Sequence, residues 1–206
     1  MSQYRFLVDT YETERLKVLT LWSTFDDEDL GCRPIPTDSR GRSVVEQMVH
    51  QCVSENLWFL NLGIDVAAPP LPDEETRLGF IDRYATDSAA RLAQLRDKSD
   101  DWWEEVIGFF DTRRTRAWIM VRRIAHTAHH RGQQTILARL SGQALYSTYG
   151  PTADTGGLMQ HEAPTIYAYD DVDALLAGEK GDRAKPPLPG PGTNPPTERS
   201  HSNGVT

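Results

Sequence analysis

Apolar residues recur every three or four positions along four long stretches of this 206-residue chain. Such spacing puts them on one face of an α-helix, because a helix completes a turn in about 3.6 residues. The predicted helices cover residues 5–25, 43–62, 73–98 and 112–141. Four amphipathic helices must bury their apolar faces against one another, so the sequence predicts an all-α fold, a four-helix bundle.

Capping residues indicate where some of these helices begin. Ser43 is followed three residues later by Glu46, a capping box in which each side chain satisfies a backbone N–H of the other residue. Asp73 is predicted to cap the third helix after a proline-rich loop. Asp170 is predicted to cap a short helix that ends at Leu176, so the chain carries one helix beyond the bundle.

The segments outside these helices differ in composition. Residues 102–110 are rich in aromatic side chains and are expected to pack over one end of the core without pairing as strands. From residue 181 onward, proline, glycine and polar residues leave too little apolar surface to offset the entropy of ordering the chain. The sequence therefore predicts one domain over residues 1–180 and a disordered tail over residues 181–206.

The charge balance limits the partners of the chain. Its net charge of −8 repels phosphate backbones. Basic residues do cluster at Arg113, Arg114, Arg116, Arg122 and Arg123, but they accompany a helix with apolar faces, which favours a solvated or ion-paired surface over a nucleic-acid site. There is no apolar run of membrane-spanning length and no secretion signal pattern at the N-terminus. We expect a cytoplasmic protein with no nucleic-acid or membrane partner.

Three of the six histidines fall within residues 126–130. His126 and His130 are four residues apart, so they share a helix face with Cβ atoms about 5–6 Å apart. Neutral imidazole is a common metal ligand, and it suits zinc, nickel, copper or iron. His129 is turned by about 100° from His130, which places it at the rim of the pocket rather than in the same ligand set.

A third ligand is available on the second helix. His50 borders a face predicted to be apolar, which includes Val49, Val53 and Leu60, and it therefore points toward the interior or its mouth. If the second and fourth helices are neighbours, its imidazole can meet those of the fourth helix at one ion. Three protein ligands leave a coordination position open, as in catalytic sites, whereas structural zinc sites are closed by four.

Other groups near this position are weaker candidates for chemistry. Trp58 is expected to flank the pocket. Glu46 and Glu55 are the carboxylates of the second helix that could act as a base, and their angular positions favour neither. Cys52 falls on the apolar face and is most simply a small core residue.

The residues around these histidines resemble the DinB/YfiT-like metalloenzymes. The resemblance rests on the helix Val45–Trp58, on the helix Trp118–Gln133, which contains the run His-His-Arg-Gly-Gln, and on the following segment Tyr146–Asp154. It extends over about residues 5–155. A histidine on one helix followed by the pattern His-x3-His-Arg-Gly-Gln on a later helix is much more specific than an isolated histidine pair.

The resemblance implies a four-helix bundle, often dimeric, that holds one divalent ion with three histidines. Matched by position, these are His50, His126 and His130, and we expect zinc or nickel ahead of other metals. Arg131 and Gln133 complete the motif and are expected to support the ligands or to pack the helices. We therefore also expect a homodimer. The resemblance explains neither the extra histidine of the motif nor the tail.

Three functions remain open at this point. Members of the family include thiol S-transferases that use bacillithiol or similar thiols, and a mycothiol-dependent maleylpyruvate isomerase. The first hypothesis is a metal-dependent transferase that acts on a small molecule with a low-molecular-weight thiol, helped by Arg122, Arg123 or Arg131 near the pocket. The second is a metal-dependent hydrolase or isomerase. The third is a non-catalytic metal-binding protein of the stress response.

Overall fold

The computed structural model describes residues 2–193. Four long helices dominate it: α1 (Arg5–Trp22), α2 (Val44–Asn61), α3 (Arg77–Arg96) and α5 (Arg116–Leu140). The shorter elements are α4 (Asp100–Glu104), β1 (Val106–Phe109), β2 (Thr112–Thr115) and α6 (Val172–Lys180).

The long helices form one bundle. Helix α1 packs against α3 and α5, and α2 packs against α5 and α3. Two apolar clusters fill the interior, one containing Trp22 and Phe80 and the other containing Phe59 and Trp103. The predicted all-α fold is confirmed. In the part of the chain that the structure describes, no helix has the length and apolar character needed to cross a membrane.

The helix starts follow capping chemistry, with two shifts from the prediction. The capping box at Ser43 is confirmed, since its backbone N–H donates to Glu46 Oε2 at 2.7 Å. Helix α3 is capped by Thr76 and not by Asp73, and α6 is capped by Asp171, one residue later than predicted. Several polar residues near each start can cap a helix, so sequence spacing alone does not choose among them.

The expectation that residues 102–110 form no strands is wrong. Strands β1 and β2 pair as an antiparallel hairpin in which Val106 faces Thr115 and Phe109 faces Thr112. Helix α5, the fourth of the predicted bundle helices, consequently begins at Arg116 rather than at residue 112, and Thr115 caps it. Each strand has only four residues, which is too short for an alternating pattern to stand out from a buried loop.

The chain after α6 contacts the end of α1. Arg183 donates to the carbonyl oxygens of Ser23 and Phe25, both at 3.0 Å, and Lys185 donates to that of Ser23 at 2.7 Å. Cations are favourable at this position because the last carbonyl groups of a helix lack intrahelical partners. The first part of the predicted tail thus lies on the bundle, while residues 194–206 fall outside the described residues.

A charged layer crosses the bundle between the two apolar clusters. Glu55 of α2 is fully buried, and its Oε1 accepts from Tyr11 Oη at 2.7 Å and Arg91 Nη1 at 3.2 Å. Its Oε2 accepts from Tyr84 Oη at 2.8 Å and Arg123 Nη2 at 3.0 Å. Burial alone would raise the pKa of Glu55, but the two guanidinium groups outweigh it and lower that pKa. The carboxylate of Glu55 is therefore ionised, and it links α2 to α1, α3 and α5.

We expect Glu55→Gln to lower the free energy of unfolding by about 3–5 kcal/mol, because it leaves two buried arginines without their counter-charge. Glu12→Gln is the matched control, since Glu12 pairs with Arg96 at the surface, and its cost should stay below about 1 kcal/mol. Urea unfolding of both variants measures the difference. Equal losses in the two variants would contradict the importance of the buried layer.

Candidate metal centre

Helices α2 and α5 run antiparallel beside each other. Gln47 contacts Gln133, and Ser54, two turns later on α2, contacts Arg123, which lies earlier on α5. This arrangement directs His50 of α2 toward the two histidines of α5 that lie four residues apart. The expectation that the second and fourth predicted helices are neighbours is confirmed.

The imidazoles of His50, His126 and His130 meet at one point. The Nε2 atom of His130 lies 3.0 Å from that of His50 and 3.1 Å from that of His126. The three residues form a group whose ligand atoms could hold one metal ion. Zinc binds imidazole nitrogens at about 2.0–2.1 Å, so three nitrogens this close together fit around a single ion.

The protonation of the three rings also fits metal binding. Burial, together with the nearby Arg123 guanidinium, lowers the pKa of His126 to about 4. Burial and the neighbouring imidazoles lower the pKa of His130 to about 3, and burial also lowers that of His50. The rings are neutral near pH 7, which is the form that donates a lone pair to a metal.

Two glutamines orient His130. Its Nδ1 lies 3.0 Å from Gln47 Oε1 and 3.0 Å from Gln133 Oε1, while Gln47 Nε2 donates to Gln133 Oε1 at 2.9 Å. Both amide oxygens are acceptors, so Nδ1 carries the proton and Nε2 keeps its lone pair for a ligand. The sequence motif pointed to Gln133. It missed Gln47, whose only signal is its position one turn before His50.

His126 has a different neighbour. Its Nδ1 lies 3.3 Å from Arg123 Nη1, and an arginine can only donate. Nδ1 is therefore the acceptor, and Nε2 holds the proton in the neutral ring and donates it to His130 Nε2. An ion bound at this nitrogen replaces that proton. Through Arg123, the ligand His126 is connected to the buried Glu55.

The remaining motif residues lie apart from the convergence point. His129 is exposed, lines the cavity, and has its Nε2 3.1 Å from Gln133 Nε2. Arg131 is buried and forms an ion pair with Glu14 of α1, with its guanidinium 4.5 Å from the ring centre of Tyr149. Arg131 therefore holds α5 against α1. Its contacts are those of a residue that packs helices, and not of one that supports a metal ligand.

A cavity of about 780 Å³ opens beside two of the three imidazoles, those of His50 and His126. Its volume is within the range of small-molecule sites. Aromatic rings form most of its wall, and its lining residues are His50, Ser54, Trp58, Phe109, Phe110, Trp118, Arg122, Ala125, His126 and His129. Trp58 lies in this wall, with its ring centre 5.5 Å from that of His126. The two phenylalanines come from the hairpin, so sequence analysis did not find them.

The carboxylates of α2 are occupied elsewhere. Glu55 is enclosed by its arginine and tyrosine partners, and Glu46 accepts the hydrogen bond that caps the helix at Ser43. The lining of the cavity, as far as the structure describes it, contains no Asp or Glu. Cys52 is buried, and burial raises the pKa of its thiol, which agrees with a core residue rather than a nucleophile.

Comparison with known proteins identifies the family. The model of the DinB family matches residues 1–160, which include all three histidines and the hairpin. The chain belongs to the DinB family. The match also confirms the resemblance expected over residues 5–155.

A solved structure supports the same fold for this DinB protein. The crystal structure of a DinB-like protein from Bacillus cereus ATCC 10987 aligns with a TM-score of 0.59 at 22% sequence identity. The alignment covers 68% of this chain and 92% of the other. At this identity the likeness shows the fold alone. None of the curated proteins matches the sequence.

We expect the purified protein to hold about one divalent ion per chain, because three imidazoles suffice for a metal site with an open position. His126→Ala and His130→Ala should lose the ion, since each removes one of the three converging nitrogens. His129→Ala is the matched control and should keep it. Elemental analysis of the four proteins measures the occupancy, and equal metal content in all of them would refute the assignment.

Proposed function

We propose that this DinB protein binds one divalent metal ion, zinc or nickel, at His50, His126 and His130, and that it is a transferase acting with a low-molecular-weight thiol. The observation that carries the proposal is the convergence of three neutral imidazoles, two of which, those of His50 and His126, line a cavity. Three protein ligands on the edge of an open space leave room for a small molecule at the ion.

At such a site, the side chains of the protein have to carry out little proton transfer. A divalent ion lowers the pKa of a thiol that coordinates it and so supplies a thiolate near pH 7. In the proposed reaction, the thiol sulfur forms a bond to an electrophilic carbon and the bond to the leaving group breaks. The thiol proton leaves with that group.

The side chains of the bundle position the reactants. Gln47 and Gln133 hold the ring of His130 with its Nε2 toward the site, so the ligand does not have to be oriented at the moment of binding. Arg122 lies in the cavity wall and supplies a positive charge there, although the chain as a whole carries −8. Arg131, by contrast, is neutralised by Glu14, and Arg123 by Glu55.

The absence of a carboxylate among the described lining residues favours the transferase over a hydrolase or isomerase. Water activated by a metal usually needs a nearby base to accept its proton, and both glutamates of α2 are occupied by other contacts. The size of the cavity favours a catalytic role over a non-catalytic metal-binding protein of the stress response, for which a shallow or closed pocket is expected.

Thiol-consumption assays test the proposal directly. Metal-loaded protein is mixed with each of several low-molecular-weight thiols and a panel of electrophiles, beside metal-free protein and His126→Ala. We expect consumption by the loaded wild type and not by the metal-free protein or His126→Ala, and Glu12→Gln, a surface change outside the cavity, should retain it as the control. Turnover that does not depend on metal, or none with any thiol, would contradict the transferase. Metal-dependent turnover without a thiol would instead support the hydrolase or isomerase.

A further inference from the structure

We propose that the cavity beside the three histidines binds an aromatic carboxylate, with its ring against the tryptophan and phenylalanine side chains and its carboxylate at Arg122. This inference deepens the proposed function, on which it rests, by naming the class of the electrophilic substrate. It depends on three features of the wall: its aromatic rings, the strained hairpin residue Phe110, and arginines without acidic partners.

The aromatic rings form a continuous wall. Trp58 of α2 lies 5.1 Å from Phe109 between ring centres, and Phe109 lies 5.6 Å from Trp118 of α5. Aromatic rings pack favourably against other rings in offset or edge-on arrangements at these separations. The wall reaches the metal centre, since the ring of Trp58 lies 5.5 Å from that of His126. A planar apolar ligand in this space is therefore adjacent to the imidazoles of His50 and His126.

Two effects disfavour a phenylalanine at the position of Phe110. Its side chain is 85% exposed, and its backbone φ of 51° is in the left-handed region that disfavours bulky residues. Glycine would relieve the strain, and a polar residue would remove the exposed apolar surface. Strained residues of this kind cluster at ligand sites. The ring lies 6.3 Å from that of Trp58, where it can cover an aromatic ligand in the cavity.

Arg122 in the cavity wall and Arg114 on the hairpin carry positive charge that no acidic side chain in residues 2–193 pairs with. Arg122 lines the cavity, and its guanidinium lies 5.9 Å from the ring of Trp118, while that of Arg114 lies 5.2 Å from the same ring. Neither has an acidic partner within residues 2–193, although acidic residues exceed basic ones in the whole chain. An arginine fork next to an aromatic wall recognises a carboxylate attached to an aromatic body.

Calorimetric titration with 2-naphthoate and its neutral analogue 2-naphthamide tests this assignment. The protein is the full chain, both metal-loaded and treated with a chelator, so that a carboxylate bound by the metal is separated from one bound by Arg122. We expect naphthoate to bind in both states and more tightly than naphthamide. The same titrations on His130→Ala protein should agree with those on the chelated wild type, since His130 is not among the residues that line the cavity.

Arg122→Gln should weaken naphthoate binding about ten-fold and leave naphthamide binding unchanged, because it removes one charged hydrogen-bonding group. Arg5→Gln, which removes the same charge from the exposed part of α1, is the control and should change neither. Phe110→Gly should weaken both ligands about five-fold without lowering the melting temperature, since it removes a ring contact and relieves strain. Phe6→Ala, at an exposed position of α1, should have no effect on either ligand.

Equal affinity for the acid and the amide, or naphthoate binding that vanishes on chelation, would overturn the carboxylate site at Arg122. Binding unaffected by Phe110→Gly would overturn the aromatic part of the proposal. These results are separable from the thiol assay: naphthoate binding without thiol consumption keeps this site and removes the transferase. Thiol consumption with small aliphatic electrophiles alone, together with no naphthoate binding, would keep the transferase and remove the aromatic carboxylate site.

Discussion

Glu55 places a negative charge in the middle of the bundle, where it is buried together with Arg91 and Arg123. Removing such groups from water is costly, and the cost is offset only if every partner is present with good geometry. Here two guanidinium groups and two tyrosine hydroxyls meet the carboxylate. Helices α1, α2, α3 and α5 each contribute one or more of these groups, so their relative rotation is set by one polar layer.

The metal centre is built on that layer. Arg123 donates to Glu55 with one nitrogen and contacts His126 with another, so the position of the ligand follows from that of the buried carboxylate. The next turn of the helix pair carries the glutamines that hold His130. Hydrogen bonds between buried polar groups are electrostatically stronger than in water, and here they run from Glu55 through Arg123 to His126. Ligand orientation is therefore a consequence of the packing between α2 and α5.

Periodicity and motif were enough to predict the four helices and the convergence of three histidines. They fail on α2, where Leu60 belongs to the face predicted to be apolar but is 43% exposed, and where Glu55 is buried instead. The hydropathy of one helix cannot reveal partners that come from other helices, and those partners decide whether a polar residue can be buried. For the same reason, the hydropathy pattern of α2 does not identify Gln47 as a partner of His130. The hairpin was missed because its strands are too short to show a period.

X-ray absorption spectroscopy at the metal edge of the zinc- or nickel-loaded protein tests the central claim most directly, because it counts the imidazoles around the ion. The account predicts scattering from the three histidines of the site at about 2.0–2.1 Å, with a further ligand that is replaced by sulfur at about 2.3 Å when a thiol is added. Fewer than three imidazoles, or a fourth protein ligand that no thiol displaces, would contradict an open three-histidine site.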